Sequence, residues 1–202
     1  MDARIAVLVS GSGTNLQALL DDPIVGPWIA LVVSDRGGIR ALDRAAERGV
    51  DTIVRPTEDH PDREAFSAAL RDELLDRGID LVVSAGYMKV LGTPFVEAFA
   101  GRLLNVHPAL LPSFPGAHAV ADALDWGAKV TGVTVHLVDE QVDHGPIVLQ
   151  EAVPIRDDDD WDSLEARIHD AEHRLLPAAV RALVEGRLKV EGRRVHVLEV
   201  SA

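Results

Sequence analysis

Asn105 and His107 stand one residue apart in Gly101-Arg-Leu-Leu-Asn-Val-His-Pro-Ala-Leu-Leu-Pro-Ser-Phe-Pro-Gly116. An amide can donate to a developing oxyanion, and an imidazole can hold or move a proton. The stretch begins as a short apolar strand, Leu103 to Val106, and breaks at Pro108. Residues i and i+2 of a strand share a face, so the two side chains project together at the strand's end. Pro108, Pro112 and Pro115 each fix φ and remove a backbone donor, which predicts a stiff loop beyond it. A lone histidine is more often structural than catalytic; the pairing of His107 with Asn105 is what argues for chemistry.

A second constellation lies at Ser10-Gly-Ser-Gly-Thr-Asn15, between an apolar strand and a helix opening at Leu16. Strand, glycine turn and helix start make an anion cradle from backbone N–H groups. Gly13 supplies the turn, and Thr14 and Asn15 can add a hydroxyl and an amide. A dinucleotide fingerprint needs a glycine where Leu16 stands, although Asp35, ending the second strand, would suit a ribose. The polar Thr14-Asn15 pair favours a monophosphate, with a dinucleotide site and a plain tight turn as the other readings.

Two carboxylates complete the candidates. Asp143 sits in the Gly-containing loop Asp139-Glu-Gln-Val-Asp-His-Gly145, where an aspartate commonly only forms a turn. Glu172 falls inside a helical stripe of Leu164, Ile168, Ala171, Leu175 and Ala179. A carboxylate there costs several kcal/mol unless it meets a cation or donors. It forms a salt bridge with Arg or Lys from the sheet, or it faces a cleft and holds a ligand amine. His107, His118, His136, Asp143 and His144 could be read as a metal site, but their spacing is not that of metal ligands, and no metal is expected. His136, between Val135 and Leu137, reads as a hydrogen-bonded core residue.

The elements that position these residues alternate. Strands are predicted at Arg4 to Ser10, Ile29 to Ser34, Thr52 to Val54, Asp80 to Ser84 and Leu103 to Val106, with helices at Ile39 to Arg48 and Pro61 to Arg77. Phe66, Leu70 and Leu74 recur at fourfold spacing on the latter. This is the pattern of an α/β fold with a doubly wound, mostly parallel, Rossmann-like sheet. Lys129 to Val138 and Pro146 to Pro154 have no helix between them and read as an antiparallel pair at the sheet's edge. Asp157 to Asp160 reads as a solvated turn, and Asp162-Ser-Leu-Glu165 as a capping box opening a long C-terminal helix. No repeat or linker divides residues 1–202, so one domain is expected.

The 202 residues are 47% hydrophobic, enough to bury a full sheet with helices on both faces. No apolar run approaches the ~20 residues of a membrane span, and no signal-peptide pattern opens the chain. There is no cysteine, hence no disulfide and no thiolate metal site. A cytoplasmic protein without a membrane partner is expected. The net charge of −13 argues against a nucleic-acid surface. It does not bar small anionic ligands held by backbone N–H groups. The sequence leaves the oligomeric state open, and a homodimer is compatible with it.

Together these motifs resemble the folate-dependent formyltransferases, over Ile5 to about Leu188. The most specific part is Asn105-Val-His-Pro-Ala-Leu-Leu-Pro-Ser-Phe-Pro-Gly116 with Asp143 following His107 by 36 residues. The Ser10–Asn15 loop points within that family to the phosphoribosylglycinamide formyltransferases of purine biosynthesis. The resemblance implies that Gly13, Thr14 and Asn15 hold a substrate phosphate and that Glu172 meets the glycinamide end. It further implies that 10-formyltetrahydrofolate is the co-substrate, lying against Met88, Lys89, Val90 and Leu91 with Arg63 reaching its acidic portion. Lys89 departs from the Arg also common there. His118 matches a position near the active site, and Asn105, His107 and Asp143 would be catalytic. A formyltetrahydrofolate hydrolase and a non-catalytic nucleotide-binding module are the alternatives.

Overall fold

A computed structural model describes residues 3–199. β1 (Ile5–Val9), α1 (Thr14–Asp21), β2 (Ile29–Ser34), α2 (Arg40–Glu47) and β3 (Asp51–Val54) form the first half of an alternating array. α3 (Arg63–Asp76), β4 (Leu81–Ser84), α4 (Thr93–Ala98) and β5 (Leu103–His107) continue it. Then come α5 (Ala119–Trp126), β6 (Val130–Leu137), β7 (Ile147–Pro154), α6 (Trp161–Val184), β8 (Leu188–Glu191) and β9 (Arg194–Val197).

All the strands join one sheet, in the order β3-β2-β1-β4-β5-β6-β7-β9-β8. β1 to β5 are parallel, while β6 runs antiparallel to both β5 and β7, as the missing helix between β6 and β7 predicts. β7 is not the edge expected, because β9 pairs parallel with it and β8 lies beyond. Ile5, Val7, Val9, Leu104 and Val106 pack on one face with α1, α2 and α6. Ala6, Leu8, Val82 and Leu103 pack on the other with Phe66, Leu70 and Leu74 of α3 and Phe95 and Phe99 around α4. Strands buried on both faces are continuous apolar runs, which is why β1 and β4 were recognisable.

Four elements escape the sequence reading, two helices and the two strands of a hairpin. α4 spans six residues, too few to show a period, and starts at Thr93-Pro94. α5 follows the proline-rich loop, whose turn residues mask its onset. The β8–β9 hairpin turns at Gly192, φ 60°, and joins β7 through the single pairing Ile147 with Arg194. The start of α6 also differs. Its capping box is Asp160 with Ser163, not Asp162 with Glu165: Asp160 Oδ1 accepts from the Ser163 N–H at 2.9 Å, and Ser163 Oγ accepts from the Asp160 N–H at 3.1 Å. The acidic run is therefore more than a solvated turn. Asp159 receives Arg167 and the Arg156 N–H, which hold its carboxyl far below the usual range.

Gly132 in β6 has no room for a side chain: a Cβ would lie 2.2 Å from the Glu151 carbonyl oxygen and 2.6 Å from Leu110 Cδ2. Gly132→Ala must force β6, β7 and the proline loop apart. It is expected to cost about 2–3 kcal/mol, read as a lowered urea midpoint at unchanged slope.

Candidate active site

In open α/β sheets the ligand crevice lies at the carboxyl ends of the strands, where the strand order reverses. Here the reversal falls between β1 and β4. Loop 10–13 after β1, segment 85–92 after β4 and the loop after β5 therefore border one crevice.

Strand register assembles its centre. On β5, Leu104 and Val106 enter one core face, which leaves Asn105 and His107 on the other. On β6, Val133, Val135 and Leu137 occupy that same core face, leaving Thr134 and His136 opposite. Antiparallel pairing sets Asn105 beside His136 and His107 beside Thr134. Asn105 Nδ2 lies 3.2 Å from His136 Nε2 and 3.5 Å from Asp143 Oδ1. His136 Nδ1 is 2.9 Å from the Leu137 carbonyl, so it donates there and Nε2 accepts from the amide. The contact to Asp143 is at the limit of hydrogen bonding, so that amide hydrogen is the one available to another acceptor.

His107 is buried, with Nε2 2.8 Å from the Phe114 carbonyl oxygen and Nδ1 3.3 Å from Asp143 Oδ2. Burial lowers the imidazole pKa, and the Asp143 charge and the Phe114 carbonyl push it upward without prevailing. Desolvation is the stronger of the two, so the Asp143 charge offsets it only in part. Burial pushes the Asp143 carboxyl up in turn, but its polar neighbours, the Gly116 N–H among them, outweigh it and keep it below the usual range. Asp143 Oδ2 accepts from the Gly116 N–H at 2.7 Å, tying its loop to the end of the proline loop. Asp143 is thus more than a turn former, although its φ of 51° shows that it forms the turn as well.

The proline loop is held by partners as well as by its prolines. Thr134 Oγ1 donates to the Ala109 carbonyl at 2.7 Å and accepts from the Leu111 N–H at 3.1 Å. Gln150 Nε2 donates to the Leu111 carbonyl at 2.9 Å and to Thr134 Oγ1 at 2.8 Å. Sequence reasoning passed over Thr134 and Gln150, and it assigned His136 to the core only. The one available signal was the alternation Val133-Thr-Val-His-Leu137, which places two polar residues on one face of a buried strand.

Gly13 adopts φ 72° as the residue preceding α1, and a Cβ there would sit 2.6 Å from Ala41 Cβ, so only glycine fits. No side chain caps α1, leaving its first N–H groups open to a ligand. The Asn15 amide does not add to that cradle as expected. It is buried, and Nδ2 donates to Glu172 Oε2 at 2.8 Å. Glu172 is 4% exposed, and neither Arg nor Lys pairs with it among the described residues. Its other neighbour is His169 Nε2 at 3.9 Å. The sheet supplies no salt bridge, so burial raises the Glu172 pKa against the opposing effect of Asn15.

On the crevice's other side, the Met88 N–H donates to Ser10 Oγ at 2.9 Å and the Gly92 N–H to Ser67 Oγ at 2.7 Å, fixing both ends of the segment. Met88 and Val90 are exposed between them. Lys89 turns its ammonium toward Asp35, 3.8 Å away. Asp35 is also bound by Arg36 at 2.8 Å, so it is already engaged where a ribose contact was considered. Arg63 is exposed at the start of α3 and bonds Glu64, whose carboxylate abuts Gly92. His118 precedes α5, exposed and without a capping bond. Among the described residues no cluster of three metal-ligating side chains occurs.

Two outcomes follow from these electrostatics. Removing the Asp143 charge in Asp143→Asn deletes the main force raising the His107 pKa, so its NMR titration midpoint should fall. For Glu172 the folded pKa lies above the ordinary 4.5, so the folded state binds the proton more tightly than the unfolded chain. The carboxylate's destabilising effect is absent below about 4.5, grows as pH rises toward the folded pKa and persists above it. Glu172→Gln should therefore raise the urea midpoint at pH 8, and the gain should shrink toward pH 4.5.

The chain is similar to known proteins along nearly its whole length. Residues 3–180 match the formyl transferase family model. A phosphoribosylglycinamide formyltransferase of Mycobacterium tuberculosis is 49% identical over 96% of this chain and 94% of its own length. The trifunctional purine biosynthetic protein adenosine-3 of Drosophila melanogaster is 47% identical over 91% of this chain, which spans only 14% of that protein. Among solved structures, glycinamide ribonucleotide transformylase 1 from Symbiobacterium toebii superposes with a TM-score of 0.94 at 49% identity, covering 98% of this chain and 94% of that one. With its polar centre, cradle and buried carboxylate laid out on this sheet, the chain belongs to the formyl transferase family.

Proposed function

We propose that the crevice transfers the formyl group of 10-formyltetrahydrofolate to the amine of 5'-phosphoribosylglycinamide, yielding formylglycinamide ribonucleotide and tetrahydrofolate in de novo purine biosynthesis. The observation that carries this is the Asn105–His107–Asp143 cluster, in the same crevice as the Gly13 cradle with Glu172 and the Met88–Leu91 segment, which exposes Met88 and Val90. The names of the full-length relatives support the same reading.

The substrate phosphate meets the free N–H groups of Gly13, Thr14 and Asn15, helped by the helix dipole. Glu172, held by one donor, accepts from the glycinamide amine and so offsets its own burial. The folate lies along Met88, Lys89, Val90 and Leu91 and contacts the exposed edge of Asn105, with Arg63 facing its carboxylates and His118 at the rim. Attack of the amine on the formyl carbon forms a C–N bond and turns the carbonyl oxygen into an oxyanion. Asn105 gives its loosely held N–H to that oxygen. The new negative charge raises the pKa of the neighbouring His107, so the ring shares the one proton that leaves the amine and returns it to the relay as the intermediate collapses. Asp143 relays the amine's proton toward the folate nitrogen, and the old C–N bond breaks as that nitrogen is protonated. We extend the reading to a cytoplasmic setting without nucleic-acid or membrane partners, in which a homodimer is compatible.

His107→Ala and Asn105→Ala should each reduce turnover by about 10²–10³ while leaving the fold intact, the typical loss for an oxyanion-stabilising group. Near-normal turnover in folded His107→Ala protein would overturn the assignment. The primary assay follows folate product from 10-formyltetrahydrofolate with and without phosphoribosylglycinamide, and product formed without the acceptor would indicate hydrolysis instead. Glu172→Gln should weaken phosphoribosylglycinamide binding more than folate binding, measured by separate titrations.

A further inference from the structure

The carboxylate of Asp143 hangs from the loop between β6 and β7, at a residue whose φ of 51° is unfavourable for a side chain that is not glycine. Aspartate tolerates this conformation better than most residues, and contacts around the loop hold it further. Some of those contacts are internal. His144 Nδ1 donates to Asp139 Oδ2 at 2.7 Å, and Asp139 Oδ1 accepts from the Gln141 N–H at 3.0 Å, closing the loop on itself.

The external contact comes from Arg193, in the turn of the β8–β9 hairpin. Its Nη2 donates to the His144 carbonyl at 2.5 Å, and its Nη1 lies 3.1 Å from His144 Nε2. Nη1 also lies 3.4 Å from His144 Nδ1, so the guanidinium sits against both ring nitrogens, while Asp139 Oδ2 is the closest partner of Nδ1. Asp139 at the ring and Arg193 at the ring and carbonyl together hold His144 in one place. The carbonyl that Arg193 grips belongs to the residue after Asp143, so fixing it limits where the Asp143 carboxylate can point. Arg193 also lies beyond residue 180, where the family match ends.

We propose that Arg193 and His144 are positioning residues for the formyl transfer, holding the loop so that Asp143 reaches His107 and Gly116. The proposal rests on the function given above. A purely structural Arg193 would only anchor the hairpin and would leave the chemical step untouched.

Steady-state kinetics of Arg193→Ala, Asp143→Asn and the double variant, with denaturation curves, separate the cases. Arg193→Ala should lower kcat about tenfold, since small misplacements of a catalytic group carry losses of that order. Its KM for phosphoribosylglycinamide should stay within about twofold of wild type, because the cradle lies elsewhere, and its urea midpoint should not move. Arg193→Lys, which keeps one donor but not the fork, should recover part of the rate. In the Asp143→Asn background, Arg193→Ala should cause no further loss, because its effect passes through Asp143. Wild-type kcat in Arg193→Ala, or losses that multiply in the double variant, would overturn the inference. If Asp143→Asn alone turns over normally, the active-site reading fails as well; if only Asp143→Asn is impaired, this inference fails by itself. Should Arg193→Ala not fold, His144→Ala, which removes only the ring contacts, must show a smaller kcat loss with the same non-additivity.

Discussion

The pairing of β5 with β6 is the contact on which the site depends. Each strand is apolar on one face and carries two polar residues on the other, and antiparallel pairing brings those residues together. A slip of one residue would invert every side chain of β6, setting Thr134 and His136 in the apolar core and Val133 and Val135 in the crevice. Burial of the apolar face thus sets the geometry of the polar one. The same hydrophobic contacts that stabilise the sheet decide which nitrogen meets which oxygen.

From that pair the support spreads outward. Thr134 bonds the proline loop at Ala109 and Leu111, Gln150 on β7 bonds it again, and Asp143 bonds its far end at Gly116. The loop that carries the Phe114 carbonyl to His107 is therefore held at several points by side chains of the strands beside it. Its prolines lower the entropy lost on ordering, and these bonds choose the ordered conformation.

Two buried groups are held in states that oppose stability and suit chemistry. His107 is desolvated and kept short of its ordinary basicity, so it responds to a new negative charge nearby. Glu172 is buried with one good donor and, among the described residues, no Arg or Lys, so its carboxylate is short of partners.

Much of this was legible beforehand. Long apolar runs marked the parallel strands, the loss of intervening helices marked the antiparallel pair, and Glu172 stood out against its own helical stripe. Short or turn-masked elements were not, because α4 has too few residues to show a period and α5 starts among loop residues. The capping box was misplaced by two residues because Asp160 and Asp162 both offer a side chain that can cap. The sequence by itself determined the strand alternation, the glycine turn before α1 and the residue types able to stabilise an oxyanion, since these depend on local spacing and chemistry. Only the tertiary structure decided that Asn15 serves Glu172 rather than the cradle, that His136 supports Asn105, and that Arg193 reaches the Asp143 loop. Those contacts join residues far apart in the chain, and their partners are set by register and packing, which no local pattern records.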